Sequence, residues 1–275
     1  MDYMKVVFDG KVVDEKAFRL DFYDRGFLYG DGLFETMIAH EGHVQHLKRH
    51  LARLEEGLCV LGIDTRLLPG ANLVQAYASQ LINGNAIEGP ARLKLIAWRQ
   101  QGGLYAPTSA GMHFLLTAVP HMPKAYPPNM ACGVAQTVQL HASAVSAYKT
   151  ISAMPYLLAG KEMNNRQLHE IVLTDYRGYV AEALYTNIFW QAHNGQLYTP
   201  ALSCGCIAGI MRSVIIDHVA ANGGQVHEVE APLSELFAAQ TVITCNATGV
   251  RYLPAIDGHQ FSTAPLAAIN SAINH

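Results

Sequence analysis

The sequence predicts an α+β fold, and three observations support this prediction. Strand candidates occur in clusters with amphipathic helices between them, which differs from the regular alternation of a parallel α/β sheet. The chain has 275 residues, a length that accommodates one large domain or two smaller ones with buried cores. Half of the residues are hydrophobic and only 15% are charged, a composition that argues against disorder.

The N-terminal part begins with a predicted hairpin, because two valine-rich runs flank Asp9-Gly10, a pair typical of hairpin turns. Leucines that recur at steps of three and four residues predict an amphipathic helix over residues 46–61. Further apolar runs predict a helix over 73–82 and strands over 33–39, 92–98 and 113–119.

Four prolines interrupt residues 119–131, and proline at this density opposes both helix and sheet. We therefore expect a small N-terminal domain over 1–118, a linker over 119–131 and a larger C-terminal domain over 132–275. In the C-terminal part, apolar patterns and turn residues predict helices over 152–168 and 207–222. They also predict strands over 132–140, 171–174, 187–192, 196–198, 226–229, 241–245 and 252–256.

Charge and cysteine content exclude several classes of function. The formal net charge is −3, so the chain lacks the excess of positive charge that is typical of nucleic-acid-binding proteins. No apolar window reaches the roughly 18 residues needed to cross a bilayer, and residues 1–5 do not resemble a signal peptide. Five scattered cysteines do not form a disulfide framework, so we expect a cytoplasmic protein. Neither Cys204-Gly205-Cys206 nor the histidines at 40, 43, 46 and 50 show convincing metal-ligand spacing, and no metal site is expected.

Lys149 lies among small and apolar residues in the run 144–150. Lysine is the side chain that readily forms a Schiff base with an aldehyde. Burial of a lysine lowers its pKa and leaves the amine nucleophilic. A solvated lysine beside a strand end fits the same pattern, so the pattern alone leaves both interpretations open.

Glu182 follows residues 179–181 and precedes a strand rich in large apolar side chains. A buried carboxylate at such a strand end requires a cationic partner. A protonated pyridine nitrogen would be such a partner, because a carboxylate beside it keeps the ring an electron sink. An exposed glutamate in a turn is the alternative.

Two small-residue segments are candidates for anion binding. Residues 204–212 lead through glycines directly into an apolar helix, whose first N–H groups would be available to an anion. Residues 246–249, Asn-Ala-Thr-Gly, form a polar turn after a predicted strand, and the hydroxyl and amides there could bind phosphate. An ordinary glycine-rich helix start remains the alternative for the first segment.

Several motifs in register resemble one family. Residues 24–36, with the sequence DRGFLYGDGLFET, resemble the N-terminal signature of the class IV aminotransferases, which are fold-type IV pyridoxal-phosphate enzymes. His50-Leu51-Ala52-Arg53-Leu54 is similar to the HxxRL helix of that family. Three further matches follow in the family's order. They are Glu182 with the later run Asn187-Ile188-Phe189, the pair Thr199-Pro200, and residues 209–212. The resemblance spans residues 24 to about 254.

This resemblance implies pyridoxal 5′-phosphate as the cofactor and assigns roles to the matching positions. Lys149 would hold the cofactor covalently and move protons at the substrate Cα, and Glu182 would pair with the pyridine nitrogen. The phosphate would be bound by Arg53, by the backbone amides of Ile210 and Met211, and by Thr248. The substrate would be contacted by Phe34, Arg99 and Tyr105, with a structural role as the alternative for Arg99. The resemblance also implies two domains with the cofactor between them, and a homodimer with the active site near the interface.

The motifs are shared by branched-chain and D-amino acid aminotransferases and by aminodeoxychorismate lyases. Residues 209–212 and 245–247 are similar to the lyases. Residues 99–105 lack the arginine that those lyases often carry after a glycine pair, and the apolar Leu104 and Ala106 favour an aliphatic substrate. We therefore expect an aminotransferase acting on branched-chain-like amino acids and 2-oxo acids, with a lyase that releases pyruvate and 4-aminobenzoate as the alternative. A non-catalytic relative that only binds the cofactor is disfavoured by the intact Lys149 and Glu182.

Overall fold

The structure is a computed structural model, and it describes residues 4–123 and 125–273. Contacts divide these residues into a first unit, 4–123 with 148–152, and a second unit, 125–147 with 153–273. Lys124, inside the predicted linker, and the chain ends at 1–3 and 274–275 lie outside the described residues. The expected domain bounds remain a prediction.

The first unit is an antiparallel sheet with two long helices. In the described residues its strands follow the order β2-β1-β6-β5-β3-β4. The strands are β1 (Lys5–Phe8), β2 (Lys11–Asp14), β3 (Gly32–His40), β4 (His43–Val44), β5 (Ala91–Arg99) and β6 (Met112–Pro120), and the helices are α1 (Arg25–Tyr29), α2 (Leu47–Val60) and α3 (Ala71–Gly84).

The leucines that recur along one face of α2 pack this helix against the sheet. Leu47, Leu51, Leu54 and Leu58 are all buried, in one core with alternate residues of β3, β5 and β6. The predicted helix over 46–61 is thereby confirmed to within a residue at each end. The same alternation directs Phe34 and Lys94 to the opposite, half-exposed face of the sheet.

The second unit contains two larger sheets, with strand orders β7-β8-β9 and β12-β11-β10-β13-β14 among the described residues. Its helices are α4 (Met154–Asn165), α5 (Ile210–Ala221), α6 (Leu233–Phe237) and α7 (Ala267–Ile273). Its strands are β7 (Cys132–Val134), β8 (Glu170–Thr174), β9 (Val180–Ala183), β10 (Asn187–Gln191), β11 (Leu197–Pro200), β12 (Val226–Val229), β13 (Thr241–Asn246), β14 (Gly249–Leu253), β15 (Ala255–Ile256) and β16 (His259–Gln260).

Some expected element bounds differ from those of the structure for identifiable reasons. The strand expected over 132–140 ends at Val134, because the Glu162 carboxylate on α4 accepts the N–H groups of Gln136 and Thr137. Strand β6 continues through Pro120 into the expected linker. Proline is tolerated there because it is the last residue of the strand and need not donate to a neighbour.

The α+β class is confirmed, since sheets with mostly antiparallel pairing occur together with helices in both units. No helix within the described residues combines the length and apolar character needed to cross a membrane.

Candidate active site

Glu182 is a buried carboxylate held by several donors in the second unit. It lies on β9 and is 2% exposed. The Tyr156 hydroxyl donates to Oε1 at 2.5 Å, and the Ile207 N–H and Asn187 Nδ2 donate to Oε2 at 3.1 and 3.3 Å. The donors come from α4, from β10 and from the segment before α5. They fix the carboxylate in one orientation and stabilise its ionised form.

Lys149 lies in a short extended segment that runs beside β3 in the first unit. The Phe34 N–H donates to the Lys149 carbonyl at 2.8 Å, and the Ile151 N–H donates to the Gly32 carbonyl at 3.0 Å. These two bonds fix the backbone on both sides of Lys149. Its Nζ lies 5.2 Å from the centroid of the Phe34 ring. The lysine therefore has a defined place on the sheet and a half-exposed side chain.

A second lysine contacts the same ring. Lys94 Nζ lies 4.5 Å from the Phe34 centroid. Partial burial, together with the charge of Arg92, lowers the pKa of Lys94. Its proximity to Phe34 follows from the pairing of β3 with β5.

Arg53 lies on α2 in a buried ion-pair cluster of the first unit. Its Nε and Nη2 donate to the two oxygens of Glu35 at 2.8 and 2.5 Å, and His50 Nδ1 lies 2.7 Å from Glu35 Oε2. Burial acts to raise the pKa of Glu35, but the hydrogen bonds from His50 and Arg53 outweigh it and hold that pKa below its usual value. Glu35 therefore stays ionised and fixes the Arg53 guanidinium.

The beginning of α5 has the features expected of an anion site. Gly209 is its N-cap and provides no side-chain cap, so the first N–H groups, those of Ile210 and Met211 included, have no partner from the helix itself. A Cβ at Gly209 would lie 1.8 Å from Asn187 Oδ1. Because Gly209 has no side chain, the start of the helix can pack directly against Asn187, which also donates to Glu182. The helix begins at 210 rather than at the expected 207, since the Ile207 carbonyl, which would accept from residue 211 in a longer helix, accepts from Asn187 Nδ2 instead.

Thr248 lies in the turn between β13 and β14 and is exposed. Its N–H and hydroxyl donate to Asn246 Oδ1 at 2.8 and 2.7 Å, while Asn246 Nδ2 donates to the Tyr185 carbonyl at 3.1 Å. Because Asn187 pairs with Cys245, this turn lies at the end of the sheet that also holds Asn187 and the start of α5. The second unit therefore groups Glu182, the α5 amides and the Thr248 turn.

Arg99 ends β5 at the start of the loop that leads to β6, and Tyr105 lies in the middle of that loop. The Arg99 guanidinium is buried and donates to Asp31 and to the carbonyls of Leu61, Gly62 and Ser109. Tyr105, at the loop tip, is 90% exposed. Arg99 therefore anchors the loop in this structure, and its contact with substrate stays a prediction.

Three residues that sequence reasoning did not single out contribute to these arrangements. Tyr156 donates to Glu182, Asn187 links Glu182 to the start of α5, and Arg25 donates to the carbonyls of Gly102, Gly103 and Leu104 in the loop that carries Tyr105. Arg25 and Asn187 lie inside the recognised motifs, but no spacing indicated their partners.

Across 4–123 and 125–273, no group of three or more His, Cys, Asp or Glu residues is placed to hold a metal ion.

Comparison with known proteins agrees with these features. The family model for amino-transferase class IV matches residues 32–255. A Methanocaldococcus jannaschii protein with a provisional branched-chain-amino-acid aminotransferase name is 29% identical over 274 residues, 98% of this chain and 94% of that relative.

Solved structures show the same fold. The branched-chain aminotransferase from Thermoproteus uzoniensis superposes with a TM-score of 0.88 at 22% identity, over 98% of this chain and 94% of the other. The 4-amino-4-deoxychorismate lyase from Pseudomonas aeruginosa superposes with a TM-score of 0.84 at 27% identity, over 98% and 97%.

The expected fold type and the expectation of an enzyme are confirmed, because the matched family and its structural neighbours are fold-type IV enzymes that include both aminotransferases and aminodeoxychorismate lyases. The chain belongs to the class IV amino-transferase family, whose members depend on pyridoxal phosphate.

Proposed function

We propose that this chain is a pyridoxal-phosphate-dependent aminotransferase that moves an amino group between a branched-chain-like amino acid and a 2-oxo acid. The observation that carries the proposal is the buried Glu182 carboxylate with its set of donors, next to an uncapped helix start. Relatives named for branched-chain substrates support the choice of substrate.

The residues present fit this cofactor. The Glu182 carboxylate is 2% exposed and fixed by its donors, and a carboxylate of this kind would favour a protonated ring nitrogen beside it. The first amides of α5 have no side-chain cap and would be donors to a phosphate, and the Thr248 turn lies at the same end of the sheet.

Each residue would make a separate contribution. When bound, pyridoxal phosphate supplies an electron sink for the electrons released at the substrate Cα. The Lys149 amine would hold the cofactor aldehyde and then move the proton at the substrate Cα. Glu182 would hold a proton at the ring nitrogen. Arg53, Thr248 and the amides of Ile210 and Met211 would bind the phosphate and keep the ring oriented.

Phe34 would limit access of water to the amine of Lys149, since its ring lies beside Nζ. The exposed apolar tip at Leu104 and Tyr105 suits an aliphatic side chain more than a charged one. We infer that the substrate side chain is apolar and that the enzyme acts as a homodimer, as the family resemblance implies. We infer a cytoplasmic location from the five scattered cysteines, which do not form a disulfide framework.

Aminodeoxychorismate lyase is the second candidate, and Lys94 is the observation that favours it. A dicarboxylate substrate gains from a second cation near the reacting amine, and Lys94 lies 4.5 Å from the ring that Lys149 also contacts. A lyase relative at 27% identity supports the same alternative.

One paired assay separates the two candidates. The protein is incubated with pyridoxal phosphate and a panel of amino donors with 2-oxoglutarate, and in parallel with aminodeoxychorismate while pyruvate is measured. We expect turnover with leucine, isoleucine or valine and little pyruvate. Pyruvate release with no amino transfer would assign the chain to the lyases, and neither activity in cofactor-loaded protein would indicate a binding relative.

A further inference from the structure

We propose that Tyr156 is a positioning residue for Glu182, whose hydroxyl orients the carboxylate and sets how strongly it holds a proton at the ring nitrogen. This inference rests on the proposed function of Glu182. Tyr156 itself would touch neither substrate nor cofactor in this role, and would act through the carboxylate alone.

The contact is the shortest of those described for Glu182. The Tyr156 hydroxyl lies 2.5 Å from Oε1, whereas the donors to Oε2 lie 3.1 and 3.3 Å away. Distances of 2.5–2.7 Å are typical of a hydroxyl that donates to an ionised carboxylate, and such bonds are about twice as strong as neutral ones. Tyr156 therefore has the largest influence on Glu182 among these three donors.

The fold places the tyrosine rigidly. Pro155 lies in the first turn of α4, where its fixed φ suits a helix start, and Tyr156 follows in the same turn. Farther along α4, Ala159 and Met163 are buried in one core with Ala181 of β9. The helix is thus fixed against the strand that carries Glu182, so the hydroxyl reaches the carboxylate without a long flexible side chain.

The hydroxyl is a permanent donor. Burial raises the pKa of Tyr156, and the negative charge of Glu182 and their hydrogen bond raise it further. Cys206 is a titratable neighbour, and burial with the Glu182 charge raises the pKa of its thiol to about 12, so it stays neutral. Arg212 on α5 is paired with Glu228 at 2.6 Å. Near neutral pH, Tyr156 therefore stabilises the charged form of Glu182 and makes it a weaker base.

Removing only the hydroxyl tests this role. In Tyr156→Phe the charged form of Glu182 loses a donor, so the pKa of the carboxylate rises and the acid limb of the kcat profile moves to higher pH, by about one unit for a tenfold loss of stabilisation. Tyr179→Phe is the matched control, a half-buried tyrosine of the same core with no described contact to Glu182, and its profile should match the parent. A merely structural role for Tyr156 would lower kcat without moving the limb.

A double-mutant cycle tests the contact in the full chain without added cofactor. Urea unfolding is measured for the parent, Tyr156→Phe, Glu182→Gln and the double variant. A charged hydrogen bond predicts that Tyr156→Phe lowers the folding equilibrium constant about 10- to 100-fold more in the parent than in the Glu182→Gln background at neutral pH. This coupling should disappear in acid, where Glu182 is protonated.

The proposal requires both the coupling and the shift of the acid limb. Additive effects in the cycle, or an unchanged limb in Tyr156→Phe, would each overturn it. A chain that shows the coupling but neither binds pyridoxal phosphate nor turns over would instead refute the proposed function, and with it the functional role of Tyr156, while leaving the hydrogen bond established.

Discussion

At the scale of single residues, Glu182 should matter for chemistry more than for binding. In Glu182→Gln the side chain keeps its size and can still be hydrogen-bonded, but it no longer favours a protonated ring nitrogen. We expect cofactor binding to be retained and kcat to fall by at least about tenfold, because the ring becomes a poorer electron sink. Absorbance of the bound cofactor reports binding, and an amino-transfer assay reports turnover. Unchanged turnover in cofactor-loaded Glu182→Gln would refute the role.

Arg53 should contribute to cofactor affinity. Glu35 holds the guanidinium through Nε and Nη2 in a fixed orientation, and a planar guanidinium is suited to binding phosphate oxygens. Arg53→Ala should weaken pyridoxal phosphate binding by one to two decades, on the order of 1.5–3 kcal/mol for a charged hydrogen bond, with recovery at high cofactor concentration. Titration of apo-protein measures this, with the exposed Arg49→Ala as control. Equal affinity of Arg53→Ala and the parent would assign the phosphate to other donors.

Glu35 should make stability depend on pH. Its pKa in the folded state lies below the usual 4.5, so its ion pair with Arg53 stabilises the fold above that pH and the stabilisation is lost as the pH falls through the lower folded-state value. Glu35→Gln should therefore reduce the free energy of unfolding at pH 7 and differ less from the parent in acid. Urea unfolding across pH 3–7 would measure this, and a difference that stays constant across the range would argue against it.

At the scale of elements, the start of α5 is the most sensitive backbone position. Gly209→Ala would place a Cβ 1.8 Å from Asn187 Oδ1, so either the helix start or Asn187 must move. We expect a loss of about 1–3 kcal/mol in stability and weaker cofactor binding. Gly160→Ala is the control, because its Cβ would lie at an ordinary 3.6 Å in the interior of α4. A Gly209→Ala variant as stable and as tight-binding as Gly160→Ala would contradict this account.

Elements with a strong local pattern were predictable from the sequence, and their mutual arrangement was not. The leucine period of α2 predicted the helix, because periodicity records which face is buried. The early end of β7 depends on Glu162, which is distant in sequence and competes for the backbone N–H groups. The bond from Tyr156 to Glu182 joins residues 26 positions apart, and no spacing rule indicates it.

At the scale of the whole molecule, several motifs in the family's order identified the protein family, which no single residue could do. Lys149 and Glu182 were each ambiguous by themselves, since a solvated lysine and an exposed glutamate fitted the local sequence equally well. Their order along the chain with Arg53 and residues 209–212 identified the family, which the match over 32–255 confirms. The presence of Lys94 beside Phe34 required the register of β3 with β5, which is a property of the folded sheet.

The central claim is that this molecule carries pyridoxal phosphate on Lys149. The direct measurement is to incubate the full chain with pyridoxal phosphate, reduce it with borohydride and map the modified peptide by mass spectrometry. Lys94 is the demanding rival, since its lowered pKa favours a reactive amine and it contacts the same ring. We predict a single pyridoxyl group on Lys149, whereas a group on Lys94, or none on either lysine, would contradict the account.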